Sequence, residues 1–160
     1  MKLKELMETR PGTVLVLPKE EELDIFKVVN YEGATSGWIN LVSMAGGREI
    51  VLEIEDRNVR DWREASELPL DAETMIPIKD IGVEVIIHGK RRFELYEGPS
   101  RAQTTSVTKD GTENGKLRFS VFKPEDDKKS KERVCLEDRG GRFVVYHSVG
   151  FIPVKEIQVK

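Results

Sequence analysis

The chain has 160 residues, with 26 Lys and Arg against 29 Asp and Glu, a formal net charge of −3, and 38% apolar against 34% charged residues. A chain of this length buries roughly 70% of its unfolded surface, so it needs no covalent staples, and with Cys135 as its one cysteine it is not a disulfide scaffold. No apolar run approaches the roughly 18 residues of a membrane-spanning helix; aliphatic residues recur too evenly for a disordered chain; and the balanced charge gives no general argument for nucleic acid.

The opening Met1–Met7 holds basic residues but no apolar stretch of the signal-peptide kind. With one free cysteine, this points to the cytoplasm. In chain order, Lys2–Thr9 reads as a short helix ended by Pro11-Gly12. Runs rich in β-branched and aromatic residues follow at Thr13–Leu17, Ile25–Tyr31 and Trp38–Met44. Glu49–Glu55 alternates with period two, placing Ile50, Leu52 and Ile54 on one face, as a half-buried strand does. Asn58–Glu67 taken alone also fits a helix, with Asn58 as N-cap and Val59 and Trp62 at helical spacing. Its match to Arg142–Ser148, a strand-like segment, decides for strand. Asp71–Met75 fits one helical turn. Further strands are expected at Val83–His88, Arg92–Tyr96, Ala102–Thr108 and Lys116–Val121, the last with Leu117, Phe119 and Val121 on one face. Lys123–Lys131 is a charged, Pro-containing loop, followed by strands at Arg133–Leu136, Arg142–Val149 and Val154–Val159. Tight turns are expected at Ala45-Gly46-Gly47, His88-Gly89-Lys90, Asp110-Gly111, Asn114-Gly115 and Arg139-Gly140-Gly141. Short, regular spacing between turns belongs to all-β barrels or sandwiches rather than βαβ units.

The two halves of the chain look alike. At one constant offset, Val51-Leu52-Glu53 aligns with Cys135-Leu136-Glu137, Val59 with Phe143, Trp62 with Tyr146, Pro69 with Pro153 and Trp38 with Phe122. Upstream, at a shorter offset, Tyr31-Glu32-Gly33 matches Tyr96-Glu97-Gly98, and the change of offset places a longer hairpin near Arg101–Asn114. The expected fold is therefore mainly β: two similar small antiparallel β-barrel-like (SH3-like) units with little helix, residues 1–75 and 76–160, packed as one compact body. The boundary falls near Leu70–Asp80, where prolines and acidic residues cluster.

Gly12-Thr13-Val14, Trp38 within a strand, the segment Val51–Asp56, and Gly150 ahead of a final strand together carry a resemblance. The chain resembles the uncharacterised prokaryotic DUF 4178 family over most of its length. The resemblance implies a small duplicated β domain, of a kind often encoded near small membrane proteins, phage-shock-type proteins and polyamine-synthase-like enzymes. It implies no activity, and no functional residue is carried over. The family usually has an acidic residue two positions after the strand tryptophan, where this chain has Asn40.

Chemistry-bearing residues are sparse. His88 and His147 stand apart in sequence, and a metal or base site needs further partners; both are read as ordinary strand or turn residues, with no metal and no cofactor expected. Cys135 between Val134 and Leu136 reads as a small hydrophobe. Glu53, Glu55 and Asp56, with Glu137 and Asp138, recur in both halves; convergent acids of this kind can serve a cation-dependent enzyme, but on alternating strands they read first as a solvated face. No phosphate loop and no Gly-x-Ser-x-Gly elbow is present. Phe26, Phe93 and Phe119 are assigned to the core. Trp62 and Tyr146 fall on the opposite parity to the core-assigned Val59 and Phe143, so they pack between the two units or line a surface groove.

The leading expectation is thus a non-enzymatic accessory or adaptor module that binds a protein partner through a groove or an unpaired edge strand, with Trp38, Trp62 and Tyr146 as candidate contacts and, through the resemblance, association with a membrane protein. The first alternative is a single-stranded nucleic-acid-binding β-barrel using Arg91, Arg92 and Tyr96. The second is the cation-dependent enzyme.

Overall fold

A computed structural model of the chain describes residues 1–65, 85–88, 90–140 and 142–160. A short helix, α1 (Leu3–Met7), is followed by β1 (Val14–Val16), β2 (Glu22–Asp24), β3 (Lys27–Glu32), β4 (Gly37–Ala45), β5 (Arg48–Glu55) and β6 (Asn58–Glu64). The second half brings β7 (Val85–His88), the long β8 (Arg91–Thr108) and β9 (Gly111–Pro124), then β10 (Arg133–Asp138), β11 (Phe143–Phe151) and β12 (Gln158–Val159). The described residues are 64% strand and 8% helix. Among the described residues, no helix is long and apolar enough to cross a membrane.

Strands β3 to β6 form one antiparallel meander and β8 to β11 another. The meanders join twice, through β6 against β11 and through β3 against the C-terminal half of β8 (Val28 opposite Val107, Glu32 opposite Gln103). These two joins close an eight-stranded antiparallel barrel. The expected pair of small barrels is therefore a single barrel to which each half of the chain gives four strands. The expected unit boundary near Leu70–Asp80, the helical turn at Asp71–Met75, and Leu68 and Pro69 lie outside the described residues. Strand β7 pairs with the N-terminal half of β8, and a three-stranded sheet, β12-β1-β2, unites the two ends of the chain.

Alternation explains the packing. On β5, Ile50, Leu52 and Ile54 point away from the lumen and pack with Leu6, Leu15, Leu23, Ile25 and Ile157 of the terminal segments. Val51, between them, points inward and meets Val29, Val42, Trp62, Phe119, Cys135 and Tyr146, a cluster to which all eight barrel strands contribute. On β10 and β11, Val134, Leu136 and Val145 form a third cluster with Ile86, Phe93 and Phe122. The sheet is thus buried on both faces over much of its area, and its strands are correspondingly rich in apolar residues.

Most expected strands are present, including Asn58–Glu64 as strand rather than helix. Three expectations change. Asn114-Gly115 is not a turn: both residues lie within β9, paired with Thr105 and Thr104, and the hairpin reverses at Lys109-Asp110 instead. Val154–Val159 is a 3₁₀ turn at Val154–Glu156 and only a two-residue strand. Phe26, assigned to the core, is 40% exposed, whereas Phe93 and Phe119 are buried.

Candidate functional site

The inward positions of the barrel are not wholly apolar. Trp38, Asn40, Glu53, Trp62, Cys135 and Glu137 line an interior cavity of about 250 Å³ that opens at one end between Glu55, Asp56, Tyr96, Glu97 and Phe151. Beside it, sharing Asn40, Glu53, Trp62, Cys135 and Glu137, is a smaller void of about 20 Å³ that Val51 and Tyr146 also line. That volume suits one water-sized polar group.

Glu53 and Glu137, read from sequence as part of a solvated face, face this lumen. Period-two alternation puts them opposite Leu52 and Leu136, which are fully buried in the outer clusters. Trp62 Nε1 donates to Glu53 Oε2 at 3.2 Å. Burial raises the Glu53 carboxyl to about 7, with repulsion from Glu55 adding to the shift and Arg60 opposing it. Burial likewise raises Glu137, against the pull of Arg139. Glu55 is raised by burial and by the neighbouring charges of Glu97 and Asp56. Asp138, one position on from Glu137, pairs instead with Arg118 at 2.7 Å. Among the described residues no group of three His, Cys, Asp or Glu side chains is placed to hold a metal ion.

On its other side Asn40 also borders a second cavity of about 300 Å³, which Lys27, Glu49, Val51 and Arg139 line, and a charged cluster stands there. Tyr146 donates its hydroxyl to Glu49 Oε2 at 2.6 Å. Arg139 reaches Glu137 at 2.9 Å, Glu49 at 3.2 Å and the Tyr146 hydroxyl. Burial works against the Arg139 charge, but Glu137, Tyr146 and Glu49 around it outweigh that and hold the guanidinium more firmly protonated. Near the open end, Arg60 is 8% exposed; its Nη1 donates to the Lys131 carbonyl at 2.6 Å and to Ser148 Oγ at 3.1 Å, and its guanidinium stacks on Phe151 at 4.3 Å. Asn40 is 7% exposed, and among the described residues its Oδ1 has no hydrogen-bond partner.

The residues singled out from sequence fall into two places. Trp62 (5% exposed) and Tyr146 (3% exposed) occupy the barrel interior, on the adjacent strands β6 and β11 that join the two halves of the chain, and do not line an outer groove. Their parity opposite to Val59 and Phe143 is correct; the face they share is the lumen. Trp38 is half-buried, stacked on Tyr31 with ring centroids 5.0 Å apart and edge-on to Phe119 at 5.4 Å. Arg91 and Arg92 lie elsewhere, each committed to carboxylates: Arg91 to Asp126 at 3.0 Å and Glu132 at 2.6 Å, Arg92 to Glu125 at 3.2 Å. Tyr96 is 56% exposed at the cavity mouth, with the Arg133 guanidinium over its ring at 4.6 Å. The three therefore form no open basic groove.

His88 and His147, separate in sequence, meet with ring centroids 5.3 Å apart, and His147 Nε2 lies 2.5 Å from Glu132 Oε2. Cys135 is buried, and that burial, reinforced by Glu137 and Glu53, drives its thiol far above the usual range, so it is no thiolate nucleophile. Sequence reasoning assigned no site role to Asn40, Glu49 or Arg139, and it weighed Arg60 only as one of the basic residues, with Arg57 and Arg63, that flank Trp62. Asn40 carried a signal: it shares a strand face with Trp38 and Val42 between the outward-facing Ile39 and Leu41. Compared with known proteins, the chain matches no family model, no curated protein and no solved structure.

Proposed function

We propose that this protein is a non-enzymatic binding module and that the lumen of its barrel, rather than an outer groove, is the binding site. The carrying observation is the combination of an interior cavity with a buried acceptor, Asn40 Oδ1, that has no partner among the described residues. Buried polar atoms are nearly always hydrogen-bonded, so an orphan acceptor beside a cavity marks a place for a donor from outside. Small barrels that hold one small ligand follow this plan, with rings and aliphatic side chains for bulk and a few polar groups for orientation. The adaptor role expected from the sequence fits the same site, since the exposed Tyr96 and Phe151 flank the mouth where a partner side chain would enter.

We also read the two meanders as copies of one unit. What supports this is that Glu53 on β5 and Glu137 on β10 occupy matching lumen positions, as do Trp62 on β6 and Tyr146 on β11. The resemblance to the DUF 4178 family belongs to the same reading, because it too implies a duplicated β domain.

Cys135 provides the test, since the one cysteine lines the cavity. Because burial keeps the Cys135 thiol protonated, the reagent is methylmercuric chloride, small and able to displace the thiol proton, and it is expected to label Cys135 in the folded protein well before global unfolding. The low-molecular-mass fraction of a cell extract, freed of thiols so that it does not consume the reagent, is expected to slow that labelling. Labelling that proceeds only at the rate of global unfolding, with no protection by the extract, would show a closed core and end the lumen reading.

A further inference from the structure

The charge around the cavity is unevenly satisfied. Its two cations are already engaged: Arg60 with the Lys131 carbonyl, Ser148 and two aromatic rings, and Arg133 with the carbonyls of Ser130 at 3.0 Å and Glu132 at 2.8 Å and the Tyr96 ring. Glu137 is paired with Arg139, but three other carboxylates are not engaged. Among the described residues, the side chains of Glu53, Glu55 and Glu97 make no ion pair, and the one hydrogen bond to Glu53 comes from the neutral Trp62 indole. Asn40 Oδ1, independently of these charges, is a buried acceptor without a donor among the described residues. The site therefore has a surplus of acceptors and of negative charge, with Trp38, Leu117 and Phe119 supplying apolar lining beside it.

Granted the lumen reading above, we infer that the ligand is an organic ammonium ion, whose head group enters the smaller void to donate to Asn40 Oδ1 and the Glu53 carboxylate while its apolar body lies between Trp38, Leu117 and Phe119. An ammonium group is close to water in size, as the void of about 20 Å³ requires, and its donors match acceptors that have none. A carboxylate or phosphate ligand would meet Glu53, Glu55 and Glu137 at close quarters, a like-charge contact that rejects it. A planar guanidinium is too broad for the void. The same chemistry has two sources, a free amine or the lysine side chain of a partner protein.

The experiment compares benzylamine with its neutral and anionic counterparts, benzyl alcohol and benzoate, by calorimetric titration into the intact protein, with Nα-acetyl-lysine N-methylamide as the lysine arm. Benzylamine or the lysine derivative is expected to bind at least about tenfold more tightly than benzyl alcohol, as a charge-assisted hydrogen bond provides, and benzoate not at all. Preference for benzylamine assigns a free amine, and preference for the lysine derivative assigns a protein side chain. Glu53→Gln is expected to weaken ammonium binding about 10- to 100-fold and leave benzyl alcohol unchanged, a pattern that loss of folding would not produce. Equal or tighter binding of benzyl alcohol or benzoate would overturn the ammonium assignment while leaving the lumen as the site. Failure of both amines to bind would overturn it too, with the lumen reading then resting on the Cys135 labelling alone.

Discussion

A carboxylate turned toward the inside of a barrel gives up water for protein, and Glu53 shows the electrostatic result. Its folded-state value of about 7 stands above the ordinary 4.5, chiefly through burial and then through Glu55. The folded state therefore keeps a proton that the unfolded chain has lost across the window from about 4.5 to about 7. In that window the native state binds more protons, so stability falls as pH rises and levels off above about 7. The shift corresponds to a cost of up to about 3 kcal/mol at pH 8, at about 1.4 kcal/mol per unit. Glu53→Gln keeps the acceptor for Trp62 and removes the charge. Urea denaturation is expected to find the variant equal to the wild type near pH 4 and more stable at pH 8; a variant less stable at pH 8 would contradict the account. Glu137 and Glu55 are raised in the same direction, while Glu21 and Glu132 are lowered, so the informative quantity is the difference between the two proteins. The sequence showed that Glu53 and Leu52 face opposite ways, because alternation is local. It did not show that the acid's face is an interior, because that depends on strands far away in the chain closing a ring.

Elements were the most legible level. Strands β3, β4, β5, β10 and β11 were readable because each carries inward and outward apolar residues at period two. The hairpin of β8 and β9 was only partly so. Its sequence suggested separate strands at Arg92–Tyr96 and Ala102–Thr108 and a turn at Asn114-Gly115, whereas one strand spans Arg91–Thr108 with register irregularities between Leu95 and Ser100. Those irregularities let one strand serve two partners, β7 at its start and β3 at its end. Gly98 sits within them at φ +115°, and a Cβ there would lie 2.7 Å from Ser120 Oγ and 2.9 Å from the Phe119 carbonyl oxygen. Both the backbone conformation and the contact exclude a side chain, so Gly98→Ala is expected to cost about 2–4 kcal/mol. Gly46→Ala, in an open turn at φ +59° with nothing within 4 Å, should cost only about 1 kcal/mol. Denaturation midpoints of the two variants check the contrast, and equal losses would mean that the β8 irregularity tolerates a side chain.

At the scale of the whole molecule, three apolar clusters share one sheet, and the outer cluster against β5 is completed by the chain ends. Leu6 and Leu15 come from the first turns of the chain and Ile157 from the last, and all three are fully buried. β1 pairs with both β2 and β12, so the small sheet exists only when the two ends meet. This coupling was not legible from sequence, since Ile157 lies in a short polar segment and its burial depends on residues at the opposite end of the chain. Ile157→Ala is expected to cost about 2–5 kcal/mol, as truncation of a fully buried aliphatic side chain does. Because the outer faces of Ile50, Leu52 and Ile54 lose cover when the terminal sheet leaves, sheet and barrel should unfold together. Trp38 and Trp62, the only tryptophans, lie in the barrel, so their fluorescence follows the barrel while far-ultraviolet circular dichroism follows all strands. The two signals are expected to change at one midpoint in both wild type and Ile157→Ala, which is the test of a single cooperative transition. A dichroism change that precedes the fluorescence change would instead make the terminal sheet a separable layer, and the barrel would then be stable without it.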